Sequence, residues 1–110
     1  AARRIGAQIA DTLNAAGARV AIHYRGSSSE ARQLVARLNE RRPDSARAFQ
    51  AELLDIPALP ALVDDVVGWG GRLDILVNNA STFFPTPVGE ISEAHWDDLM
   101  GSNLKAPLFL

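Results

Sequence analysis

Helix-like and strand-like segments alternate without a break along these 110 residues, and few folds accept that order. Ile5, Ile9, Leu13 and Ala16 recur at near-helical spacing, with Gln8, Asp11 and Asn14 on other faces, so the chain opens on an amphipathic helix that Gly17 stops. Arg19 to Tyr24 is a β-rich run and predicts a strand. After the loop Arg25 to Ser29, Ser27 and Glu30 stand at capping-box spacing ahead of a helix with Ala31, Leu34, Val35 and Leu38 on one face. Arg41 to Ser45 reads as a turn, and Ala46 to Leu53 as a second strand. Pro57 and Pro60 mark the first turn of another helix, where a lost backbone N–H matters least, and Gly70-Gly71 ends it. Leu73 to Val77 is apolar enough for a strand buried on both faces. Ser81 to Glu90 is a loop, and Ser92 caps a last helix carrying Trp96, Leu99, Met100, Asn103 and Leu104.

This order predicts the α/β class, a doubly wound sheet of parallel strands. Such a sheet opens on a strand, whereas this chain opens on a helix, so a first strand is expected upstream of Ala1. The chain starts with Ala, its one methionine is Met100, and it ends on Leu108-Phe109-Leu110, so both ends read as cuts. The expected organisation is one partial dinucleotide-binding domain over residues 1–110.

Composition narrows the function classes. A net charge of −2 gives no reason to expect a nucleic-acid partner. With no cysteine, disulfides, thiolate metal sites and thiol nucleophiles are excluded, which fits a cytoplasmic protein; no metal site is expected. No apolar run approaches the roughly 20 residues of a membrane helix. The Arg3-Arg4 pair is not an export signal, because Gln8, Asp11 and Asn14 interrupt the apolar segment that should follow.

Three places carry candidate chemistry. Ala1 to Gly6 runs small residues into a helix start, where a pyrophosphate can meet helix N–H groups. Alone, Arg-Arg-x-Gly at a helix start is more often a solvated end than a phosphate site. After the first visible strand comes His23-Tyr24-Arg25-Gly26-Ser27-Ser28, with no acidic residue to hold a ribose 2′-OH. Arg25 and the serines suit a 2′-phosphate, through charge-assisted bonds from the guanidinium and neutral ones from the hydroxyls. The same residues also fit a polar loop with a helix cap. Asn78-Asn79-Ala80-Ser81 ends the apolar run, at the edge where open α/β sheets bind ligands, or it is only a turn.

Together these segments resemble the short-chain dehydrogenase/reductase family. Arg72 to Ala80 is similar to the lead-in and N-N-A-G segment of that family, and Ala1 to Gly6 resembles the tail of its T-G-x-x-x-G-x-G turn. Within the family the likeness is greatest to pteridine reductases: Arg4 in place of the middle glycine, His23-Tyr24 ending a strand, and Asn-Asn-Ala-Ser-x-Phe-x-Pro-Thr-Pro from Asn78 to Pro87. The resemblance implies a Rossmann-like sheet, here incomplete, lacking the first strand and the C-terminal half. It implies NADPH as cofactor, a pterin or dihydrofolate-like substrate, and a parent homotetramer built through later helices.

By position, Arg4 and Ile5 would meet the pyrophosphate region. His23, Tyr24, Arg25 and Ser27 would surround the 2′-phosphate, and Leu53 would lie near adenine. Asn79, Ala80 and Ser81 would line ribose and nicotinamide. Phe83 would stack on the pterin ring, with Ser81 beside it at the substrate; flat heteroaromatics gain from such stacking. Phe84 is open between a site role and simple burial. Glu52 replaces an Asp common in the family, which puts an adenine contact there in doubt.

Asn103 precedes Pro107 by four residues, so its carbonyl lacks a normal helical partner. The resemblance gives it a catalytic part, holding a water that contacts the catalytic lysine; otherwise it marks an ordinary proline kink. The family's Y-x-x-x-K pair is absent, since the only tyrosine is Tyr24 and the only lysine Lys105. Without that pair, and without the first strand that should lie between its visible strands, this stretch alone is expected neither to turn over substrate nor to fold stably. Another short-chain reductase, such as a 3-oxoacyl-carrier-protein reductase, and a non-catalytic nucleotide-binding module are the competing readings.

Overall fold

Periodicity becomes architecture first at the N-terminal end of the computed structural model, which describes residues 2–110; Ala1, part of the expected phosphate turn, lies outside the described residues. Helix α1 (Arg4–Ala15) packs Gly6, Ala10 and Asn14 inward. Gly17 then turns the chain with φ +101°, a conformation that glycine adopts without steric penalty. Strand β1 (Val20–Tyr24), helix α2 (Ser28–Arg41) and strand β2 (Ala46–Gln50) form a βαβ unit, with β1 and β2 parallel and Val20 opposite Ala46. The architecture is therefore α/β of the Rossmann-like kind, with a sheet that is incomplete among the described residues.

The two faces of the sheet do different work, as the two-residue period of a strand requires. One face carries Ile22, Ala46 and Ala48 into a core with Ala10 of α1 and Ala31, Leu34 and Leu38 of α2. Ile22, Ala31 and Leu38 are wholly buried there. On the other face, Phe49 meets Trp69 of helix α3 (Leu59–Gly70), ring centroids 5.9 Å apart, and Arg19 lies 4.3 Å over that indole.

Polar side chains close the ends of this unit. Buried Asn14 donates to Ser45 Oγ at 2.8 Å, tying α1 to the start of β2. Asn39 accepts from Ser45 N and Ala46 N at 3.0 and 2.9 Å and donates to the Ala46 carbonyl, fixing the turn. Asp11 accepts from both Arg37 and Arg41, joining α1 to α2.

The two prolines sit as expected: Ile56–Ala58 is a 3₁₀ turn leading into α3, which Gly71 ends with φ +81°. Ser92 caps helix α4 (Glu93–Met100), accepting from His95 N at 3.2 Å while His95 Nδ1 accepts from Ser92 N. A π turn, Gly101–Lys105, continues into α5 (Ala106–Phe109). At the junction Gly101 packs against Leu54, whose Cδ2 would lie 2.6 Å from any added Cβ.

Three expectations are corrected. Leu73 to Val77 is not a strand: it has no ladder partner among the described residues, and Ile75 is 63% exposed. A trough of about 560 Å³ is lined by this segment, by Val20–His23 of β1 and by Ile9, Leu13 and Val66. No described segment lies in that trough to pair with either edge. Apolar sequence alone does not make a strand, because the ladder bonds must come from a neighbour. Nor does Ser27 form a capping box: it is the N-cap of α2 by position, but its side chain makes no cap bond. Its would-be partner Glu30 pairs instead with Arg3, and an ionic partner displaces a neutral N–H as the carboxylate's choice. The second strand also stops at Gln50, short of Leu53, which lies in a turn.

Candidate functional site

The carboxyl end of β1 is where sequence and fold meet. The parallel register sets Tyr24 opposite Gln50, and the Ala51 N–H extends the ladder one step by donating to the Tyr24 carbonyl at 3.2 Å. His23, Tyr24, Arg25 and Ser27 therefore emerge together beside Ala51, Glu52 and Leu53. Tyr24 turns back onto the α1–α2 core. Arg25 is exposed, with Nη1 3.8 Å from Glu52 Oε2, and its carbonyl accepts from Gln50 Nε2 at 3.0 Å.

His23 projects to the trough side, half-buried, with Nε2 2.9 Å from the Ala51 carbonyl. A carbonyl can only accept, so Nε2 carries the proton. Burial holds the imidazole below its ordinary pKa, against the upward pull of the Ala51 bond and the Glu52 carboxylate. The unfolded chain therefore takes up the proton first as pH falls. His23 contributes stability that is whole above about pH 6.5 and is lost as pH falls through the lower folded value. The expected result is that the melting-temperature difference between wild type and His23→Gln, which keeps an N–H donor, shrinks from pH 8 to pH 5. A difference independent of pH would contradict this assignment.

At the N-terminus of α1, Arg3 is the N-cap residue in extended conformation and provides no side-chain cap. The first-turn N–H groups are thus left to an external acceptor, the arrangement that favours an anion. Arg4 and Ile5 begin this turn, both exposed. Arg4 has φ +49°, a left-handed backbone that costs a non-glycine residue about 1 kcal/mol or more. The residue is held there at the point where the resemblance expects glycine.

The trough brings several of the expected residues to one surface. Gly6, His23, Leu53, Asn79 and Ala80 all line it, joined by Ser102. Asn79 is half-buried, whereas Ala80 and Ser81 are exposed. Of the two phenylalanines, Phe84 packs edge-on to His95 with centroids 5.2 Å apart, whereas Phe83 is 89% exposed. Phe84 is thereby engaged in packing, and Phe83 is left exposed in the same loop.

Asn103 lies in the π turn, and its side chain is occupied. Its Oδ1 accepts from Thr82 N at 3.1 Å and its Nδ2 donates to the Thr82 carbonyl at 2.9 Å. Thr82 Oγ1 also bonds Ser102 Oγ, which in turn donates to the Asp98 carbonyl at 2.8 Å. Asn103 and Ser102 together clamp the backbone immediately before Phe83. Sequence reasoning found Asn103 but not Thr82 or Ser102; the only local signal was the polar Ser102-Asn103 pair beside a proline-disturbed helix. It also missed the pairs Arg3–Glu30 and Arg25–Glu52.

The family model for short chain dehydrogenases matches residues 1–110. The chain is 40% identical over 141 aligned positions to pteridine reductase 1 of Leishmania tarentolae, covering all of this chain and 49% of that protein. It is 37% identical to the 3-oxoacyl-[acyl-carrier-protein] reductase FabG of Staphylococcus aureus, over 96% of this chain and 42% of that protein. It is 33% identical to the short chain dehydrogenase mdpC of Emericella nidulans, over 98% of this chain and 40% of that protein. The chain thus spans about half the length of the curated relatives it matches. It belongs to the short-chain dehydrogenase family.

Proposed function

We propose that this short-chain dehydrogenase domain supplies the cofactor site and part of the substrate pocket of an NADPH-dependent reductase acting on pterins or dihydrofolate-like substrates. The observation that carries the cofactor is Arg25, exposed at the carboxyl end of β1 with Ser27 close by, where an NAD-selective fold sets an acidic residue. Bound there, NADPH supplies the hydride. The residues fit it: an uncapped α1 N-terminus for the pyrophosphate, Arg25 and Ser27 for the 2′-phosphate, Leu53 for adenine, and Asn79, Ala80 and Ser81 along the path to nicotinamide. Asn103 positions that path through its clamp on Thr82. Tyr24 and Lys105 stand on separate elements, β1 and the π turn, and not four residues apart on one helix as in Y-x-x-x-K.

The substrate class rests on Phe83 and on the likeness to pteridine reductase 1. The similarity to 3-oxoacyl-[acyl-carrier-protein] reductases favours an acyl substrate as the second reading. A ring stacked on a flat pterin contributes more than one beside a flexible acyl chain. In the whole protein, Phe83→Ala is expected to lower kcat/KM for a dihydropterin about ten-fold, since about 1.4 kcal/mol of lost stacking is a factor of ten. For a 3-oxoacyl thioester the loss is expected to stay under about two-fold. Equal losses on the two substrates would sink the pterin assignment. NADH binding as tight as NADPH binding would sink the cofactor assignment.

A further inference from the structure

Glu52 stands two residues beyond β2, on the edge that carries Arg25. Its carboxylate is held at both oxygens. Oε1 accepts from the Leu54 N–H at 3.2 Å within its own turn, and Oε2 lies 3.8 Å from Arg25 Nη1. The Arg25 backbone is held in turn by Gln50 through the 3.0 Å bond to its carbonyl. The negative charge is therefore anchored independently of the arginine and stays beside it. Both side chains are exposed, so the pair adds little to stability and can open to an incoming anion. An anion that reaches Arg25 must share the guanidinium with Glu52 and approach a like charge.

We propose that Glu52 is a specificity-determining residue, a fixed counter-charge that moderates the grip of Arg25 on the cofactor 2′-phosphate and so sets how strongly NADPH is preferred over NADH. This rests on the cofactor reading above. Glu52 does not select for NADH; it holds the preference for the phosphorylated cofactor below what Arg25 alone would give, and so eases release of the oxidised product.

The test is calorimetric titration of the whole protein with 2′,5′-ADP and with 5′-AMP, for wild type, Glu52→Gln, Arg25→Gln and the double variant. Glutamine keeps an oxygen for the Leu54 N–H and removes the charge. Glu52→Gln is expected to bind 2′,5′-ADP about five-fold tighter, about 1 kcal/mol, with 5′-AMP changed by less than about two-fold. In the Arg25→Gln background the gain from Glu52→Gln is expected to vanish. A change of equal size for both nucleotides would make Glu52 an adenine contact and overturn the proposal. So would an unchanged or weaker affinity of Glu52→Gln for 2′,5′-ADP while Arg25→Gln still loses it; the cofactor reading would then survive alone. If Arg25→Gln binds 2′,5′-ADP as well as wild type does, the cofactor reading itself fails and the proposal with it.

Discussion

Leu38→Ala in the whole protein is expected to lower stability by about 3 kcal/mol, the usual cost of emptying a fully enclosed leucine site. Leu38 is wholly buried and belongs to the cluster formed by Ala10, Ile22, Ala31, Leu34 and Ala46. Three of those five neighbours are alanines, with short side chains that cannot swing in to fill the void. The cavity term therefore adds to the lost transfer energy. Leu38→Met, which keeps the volume, is expected to cost less than about 1.5 kcal/mol. Urea unfolding measures both, and the midpoint should move without a change in slope. An alanine cost below about 1 kcal/mol would mean that α2 closes onto the sheet when the side chain is removed. The consequence reaches the site, because α2 begins at Ser28, directly after the loop carrying Arg25 and Ser27.

The same core shows why the α/β pattern was readable. The apolar faces of α1, α2 and α3 and the runs at Val20–Tyr24 and Ala46–Gln50 form where local periodicity places them, since each finds its neighbour within one βαβ unit or the next helix. Leu73 to Val77 has the strongest strand composition of all, yet it forms none. Strand formation needs ladder bonds from a neighbour, and sequence periodicity reports only the apolar faces. Ser27 failed as a cap for a related reason: the motif S-x-x-E is local, but Glu30 is drawn to Arg3 across the gap between α1 and α2.

In the candidate site, residue types were legible and their partners were not. Arg25 stands out by its position after β1, but nothing local marks Glu52 as its counter-charge. Asn103 was found from the proline four residues on. Its π turn accommodates that disturbance, with the Ala106 N–H donating to the Gly101 carbonyl, five residues back. The use of its side chain depends on Thr82, 21 residues earlier, which no short motif encodes. Phe83 and Phe84 were indistinguishable as sequence, and the contact of Phe84 with His95 separates them.

Arg42→Ala is expected to cost about 2–3 kcal/mol, more than an arginine at a helix end ordinarily carries, because hydrogen bonds from a charged donor are the strong ones. Its Nη1 donates to the carbonyls of Asn14 and Ala18 at 2.5 and 3.1 Å, and its Nη2 to Gly17 at 2.8 Å. Asn14 stands in the last turn of α1, where the helix dipole is negative, and its carbonyl also accepts from the Gly17 N–H at 3.0 Å; Gly17 and Ala18 follow in the turn after the helix. The guanidinium therefore satisfies several acceptors and a field at once, from the C-cap of α2. Lysine carries the charge but not the planar fork, so Arg42→Lys should recover less than half of the loss, about 1 kcal/mol. The readout is urea unfolding, together with NADPH affinity under conditions where each variant remains folded. Affinity should fall along with stability, since Arg42 fixes the axis of α1 and the opposite end of that helix faces the proposed pyrophosphate. Full rescue by lysine would show that charge alone suffices there. A loss below about 0.5 kcal/mol for alanine would show that water solvates the freed carbonyls as well as arginine does.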